Sequence, residues 1–180
     1  MNKLERRSVL GYELIGIVFI IVLGSILHFA FELSGHHPIV GVFSAVNESV
    51  WEHFKLAFWP AIAYTIFEYK FLKKSTNNFF SAKTVGIYLM PIVIAVLFYL
   101  YTAILGEDLL IMDILTFVIA VIVGQLSSYK LLVSNELPRK TEKISLLALI
   151  ILGLAFVLFT FYPPRLSIFR DPVTGNYGIT

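Results

Sequence analysis

Cysteine is absent from the 180 residues, which excludes disulfides, thiolate metal ligands and cysteine nucleophiles together. Charge is scarce: Asp, Glu, Lys and Arg make up 14% of the chain against 58% hydrophobic residues, far from the balance of a soluble domain. The alternating ten-residue segments of a membrane β-barrel are missing, because the apolar stretches are unbroken. No internal repeat recurs, so the inverted halves of many secondary transporters find no support. No small-residue cleavage site follows the first apolar stretch, which is also too long for a signal-peptide core, so it is expected to remain as a span.

What is present is length and apolarity. Five stretches, 11–33, 56–72, 85–105, 109–132 and 144–161, approach or exceed the roughly 20 helical residues that cross a hydrocarbon core about 30 Å thick. They predict an all-α, polytopic integral membrane protein with five transmembrane helices. Of 14 Lys and Arg residues, all but Lys55, Arg165 and Arg170 fall at the N-terminus, in the connection after the second stretch or in that after the fourth. Basic residues mark cytoplasmic loops, so the N-terminus is expected inside and the C-terminus outside a cell membrane. The same rule accounts for the basic loops without nucleic acid, which is not an expected partner.

Between the first two spans, "SGHHPIVGVFSAV" holds Gly35, Pro38 and Gly41 and is too short to cross. It predicts an interfacial or shallow re-entrant segment, which is allowed where other protein covers its backbone. Asn47 is the expected cap of the next helix, since its side chain can accept an orphan amide hydrogen. Pro60 predicts a kink in that helix, because it removes one backbone donor.

The unusual stretch is "NESVWEHFK". Residues four apart share a helix face, so Glu48 with Glu52, Ser49 with His53, and Asn47 with Trp51 and Lys55 form adjacent stripes of one polar patch. Ser25, His28 and Glu32 make a face at the end of the first span, and Asp113, with Thr116 a turn further on, enters from the fourth. Ionisable groups in a bilayer face partners and avoid lipid, which predicts a common outward-facing acidic and histidine-containing pocket. Glu48, Glu52 and His53, supplemented by His28 or His36, have the donor chemistry for zinc, iron or manganese. Their spacing matches neither H-E-x-x-H nor the E-x-x-H pair of diiron bundles. Ser49 and His53 stand at a spacing that lets them approach, but no G-x-S-x-G context surrounds the serine.

Residues 1–162 are thus expected to form one transmembrane domain. Residues 163–180, "PPRLSIFRDPVTGNYGIT", form an extracytoplasmic tail that folds back over the outer face. Arg165 and Arg170, with Asp171 beside them, are expected at the pocket mouth, with an arginine paired to Glu48, Glu52 or Asp113.

"HFAFELSGHHPIVGVFSAV", "NESVWEHFK" and the closing "YPP" and "IFRDPVTGNYGI" together resemble a family of small multi-pass bacterial membrane proteins catalogued as a domain of unknown function. The resemblance covers nearly the whole chain. It implies that Asn47, Glu48, Ser49, Trp51, Glu52, His53 and Lys55 belong to the family signature, N-E-S-x-W-E-H-x-K, and it carries no activity. The pocket itself suggests ion- or proton-linked transport or binding of a small ligand, by a protein in the bilayer that assembles with copies of itself. Two alternatives stand beside it: a membrane-embedded, metal-dependent enzyme acting at the outer leaflet, and an accessory subunit whose polar groups hold helices together.

Overall fold

A computed structural model describes residues 2–179. Five long helices dominate it: α1 (Lys3–Leu33), α3 (Val50–Leu72), α4 (Phe79–Leu105), α5 (Leu110–Leu132) and α6 (Arg139–Phe161). A one-turn α2 (Pro38–Gly41) lies between the first two, and a 3-10 turn at Ser167–Phe169 follows α6. No strand occurs among the described residues beyond a single antiparallel bridge between Arg170 and Tyr177. Four helices, α1, α4, α5 and α6, are long and apolar enough to cross a membrane. Each outruns its expected apolar stretch at the N-terminal end or nearly matches it, because polar residues there continue the helix.

The fifth long helix, α3, carries too much charge to stand with those four, yet it is the most enclosed of all. Twelve of its 23 residues are buried, against three of 23 in α6. Its small and aromatic residues Phe54, Ala57, Phe58 and Ala61 form the main core with Ile20 of α1, Met90 of α4, Val121 of α5 and Phe156 of α6. The buried charges Glu52, Lys55 and Glu68 meet partners inside the protein and so escape both lipid and water. The helix runs unbroken through Pro60.

Helices α4 and α5 touch at a glycine crossing. A Cβ on Gly86 would lie 2.7 Å from the Gly124 carbonyl oxygen, and one on Gly124 would lie 2.7 Å from that of Gly86. Only two residues without side chains let the backbones come so close, as in small-residue helix packing within membranes. Gly124→Val is therefore expected to lower stability by about 1–3 kcal/mol through overpacking, read as a drop in thermal midpoint, while Gly11→Ala, within α1 and facing open space, is expected to hold or slightly raise it.

At the end holding the start of α1, buried Asn78 ties two connections together. Its side-chain amide donates to the carbonyls of Leu131 and Asn135, and its oxygen accepts from the Leu137 amide. Glu142 of α6 accepts from the Phe80 and Ser81 amides in the first turn of α4, supplying acceptors that Asn78, which makes no side-chain cap bond, does not.

At the opposite end, residues 38–46 lie along the first turns of α3. Lys55 Nζ donates to the Gly41 carbonyl (2.7 Å) and Trp59 Nε1 to that of Val42 (2.9 Å). The C-terminal segment closes over the same end: Asn47 Nδ2 donates to the Gly178 carbonyl (2.9 Å), and the Ile179 amide to that of Thr160 (3.2 Å). Gly178 has φ +66°, a left-handed conformation that disfavours any residue with a Cβ, and a Cβ there would sit 2.8 Å from the Thr160 oxygen.

Candidate functional site

The polar residues of the Asn47–Lys55 stretch divide between two places. Ser49, in extended conformation, caps α3 by accepting the Glu52 amide; the expected cap, Asn47, instead accepts the Ser49 amide and holds the tail. With helix starting at Val50, Glu48 lies outside the helical register and does not stack above Glu52. It points to His28 of α1 and to His53, with Glu48 Oε2 3.7 Å from His28 Nε2 and 3.4 Å from His53 Nε2. One donor atom from each of the three residues lies within 4.8 Å of the others, and the two imidazoles meet edge to face at 5.3 Å. His53 Nδ1 is 2.9 Å from the Ser49 carbonyl oxygen. Contact with the His53 imidazole, and then the charges of His53 and His28, hold the Glu48 carboxyl below the ordinary carboxylate range, against the opposing effect of partial burial.

This cluster lines a cavity of about 350 Å³ between α1, α3, α4 and α5. Asp108 and Asp113 add carboxylates, Ile21, Leu56, Phe98 and Phe117 supply apolar walls, and Pro172 and Val173 bring the tail to its edge. Tyr101 donates to Asp113 Oδ1 at 2.5 Å. A site of two imidazoles and three carboxylates, with no lysine or arginine on its walls, can hold a cation or exchange protons.

Glu52 and Lys55 are elsewhere. They form a buried pair at 2.5 Å, and Lys55 also donates to Gly41 and to Thr160 Oγ1 (2.8 Å), so all three ammonium hydrogens have acceptors. Glu52 Oε2 accepts the Val46 amide as well. The metal-capable set is therefore His28, Glu48 and His53, without Glu52.

Trp51 stands away from the cavity among Phe156, Phe159 and Phe169. Glu32 is exposed and in no ion pair among the described residues. His36 stacks on Phe31, and His37 caps α2. Arg165 and Arg170 are exposed, and the arginine–carboxylate pairs expected of them do not form among the described residues. The carboxylate nearest them in sequence, Asp171, is occupied by the Val173 amide and the Thr174 hydroxyl of its own turn.

A second ionic cluster, absent from the sequence-based expectations, lies deep toward the other end. Lys83 of α4, expected in a basic loop, is 1% exposed and pairs with Glu13 of α1 at 2.5 Å and with Glu68 of α3. Ser128 of α5 donates to Glu13 (3.2 Å). Glu13 Oε2 and Glu68 Oε1 have no hydrogen-bond partner.

The family model described as Family of unknown function (DUF6512) matches residues 1–179. The chain belongs to this family. No curated protein and no solved structure matches it. For this DUF6512 chain the overlooked signal was positional. Glu13 and His28 on α1, His53 and Glu68 on α3, and Asp113 and Ser128 on α5 are each separated by fifteen residues, so the same three helices carry polar groups at two levels.

Proposed function

We propose that this is a five-span protein of the cell membrane, with its N-terminus in the cytoplasm and its C-terminus outside. Its outward-facing pocket would serve ion- or proton-linked transport or the binding of a small ligand. The observation that carries this reading is the pair of polar levels on α1, α3 and α5. Fifteen helical residues span about 22 Å, and between the levels lies a dry layer that includes Ile20, Ala57, Ala61, Ala120 and Val121, each at most 2% exposed. Two ionisable stations separated by an apolar plug, each near one side of a hydrocarbon core about 30 Å thick, suit stepwise movement of a charge.

The placement of basic residues supports the orientation. Apart from Lys55, Lys83, Arg165 and Arg170, they lie at the start of α1 or around the α3–α4 and α5–α6 connections, the pattern of cytoplasmic loops. α3 supports the fifth span, since its 23 residues reach about 34 Å and its buried charges are matched within the bundle. The 38–46 segment, covered by Lys55 and Trp59, has the shielding that a shallow re-entry requires. The apolar outer face of α1, with Leu14, Val18 and Val22, suits contact with lipid or a second copy.

The test is flux in proteoliposomes. The parent is expected to move protons or small cations above the rate of empty vesicles, and Asp113→Asn and Glu48→Gln are expected to bring that rate down to background. Parent flux no greater than that of empty vesicles, or flux indifferent to both substitutions, would overturn the reading. A second reading, a metal-dependent enzyme acting on an amphiphile at the outer leaflet, is favoured by one observation: the His28–Glu48–His53 cluster opens onto a cavity with mostly apolar walls.

A further inference from the structure

We propose that His28, Glu48 and His53 form a zinc site with three protein ligands and an open coordination position facing the cavity. Two of the three separations are close to those of a coordination shell, and all three donor atoms lie within 4.8 Å of one another. Zinc ligands at about 2.0–2.1 Å in tetrahedral array stand roughly 3.4 Å apart; Glu48 Oε2 is 3.4 Å from one imidazole nitrogen and 3.7 Å from the other. Both distances exceed the usual 2.7–3.2 Å or so of an N–H···O hydrogen bond, so the contacts are looser than well-formed hydrogen bonds. Two histidines and a glutamate with one position left open are also the ligand set of a catalytic zinc centre.

The outer contact of His53 agrees with this. Its Nδ1 meets the Ser49 carbonyl at 2.9 Å, and a proton on that nitrogen leaves the Nε2 lone pair directed at Glu48. Metal-bound histidines are held this way, with the far ring nitrogen donating to a carbonyl or carboxylate. Ser49 is the helix cap of α3, so the same turn that begins the helix orients the ligand. The charge balance is favourable too. Asp108 and Asp113 share the cavity with Glu48, no lysine or arginine lines it, and Lys55 is committed to Glu52, Gly41 and Thr160. The cavity that the three groups line has mostly apolar walls, which fits a metal-binding head group on a hydrophobic body.

The experiment uses the full-length protein in detergent, stripped by a chelator and titrated with Co²⁺ while the visible d–d bands are recorded, then challenged with Zn²⁺. Expected is one Co²⁺ per chain with a tetrahedral-type spectrum, displaced by Zn²⁺. His28→Ala and Glu48→Gln should each weaken binding by at least about a hundredfold, more than the tenfold to hundredfold typical of removing an outer-contact partner. The double variant His36→Ala, His37→Ala should bind as the parent does, and Asp113→Asn, which removes a cavity charge but no ligand, should weaken binding far less than loss of His28 or Glu48. No saturable binding, binding unchanged in His28→Ala or Glu48→Gln, or loss of the ion with the His36 and His37 pair would each overturn the site. His28 and Glu48 are 30% and 49% exposed, so these variants are expected to fold, which an unchanged thermal midpoint verifies. The metal readout is independent of flux: an Asp113→Asn protein that binds Co²⁺ without moving ions separates the two proposals.

Discussion

Lys83→Met is expected to destabilise the folded protein by about 3–5 kcal/mol, the loss typical of removing one partner from a buried ionic group. The ammonium is the single cation between Glu13 and Glu68, all three residues are at most 1% exposed, and the remaining hydrogen bond to this cluster is that from Ser128 to Glu13. Without Lys83, two carboxyl groups face each other where neither water nor another base reaches them. The measurement is the midpoint of thermal or SDS-induced unfolding in detergent. Replacing the whole group, with Glu13→Gln, Glu68→Gln and Lys83→Met together, is expected to recover most of the loss, because burying a charge alone is far more costly than burying none. An unchanged midpoint in the single variant would show that the three side chains do not depend on one another, and a triple variant no better than the single would point to lost packing by the lysine stem.

Lys55→Met is expected to have an effect of similar size, about 3–5 kcal/mol, with a different local signature. Lys55 neutralises Glu52 and also satisfies the carbonyl of Gly41 and the hydroxyl of Thr160, so it joins α3 to the 38–46 segment and to the end of α6. Its loss should expose that segment to protease before the bundle unfolds. Adding Glu52→Gln to Lys55→Met should restore much of the global midpoint, yet leave the segment sensitive, since Gly41 still lacks its donor. A segment as resistant as in the parent would sink this account. Glu48→Gln gives the useful contrast. Half-exposed pairs contribute little to stability, so that variant should unfold with the parent while losing whatever the cavity does.

The apolar runs made the helical class legible, because a stretch that cannot be solvated has few alternatives. Glu48, His53 and His28 were legible for the same reason, as charges where charge is disfavoured. What misled the reading was register. Treating Asn47 as the cap extended the helix by two residues and put Glu48 on the face of Glu52; with Ser49 as cap, Glu48 is free to turn to His28 while Glu52 turns inward. Lys83 was misplaced by a related assumption, that a lysine near a span boundary belongs to a loop. α4 begins at Phe79, which carries Lys83 into the second turn and onto a buried face. The partners of Arg165 and Arg170 were inferred from charge alone, whereas Asp171 and its turn satisfy themselves locally.

The Glu13–Lys83–Glu68 group also bears on how the chain is made. Its two acids lie in α1 and α3, seventy and fifteen residues ahead of the base in α4. A translocon releasing helices singly would have to pass an uncompensated carboxylate into lipid twice, so α1 and α3 are best retained at the insertion site until α4 arrives. On the five-span reading, the order of synthesis would then become part of what the ionic group selects.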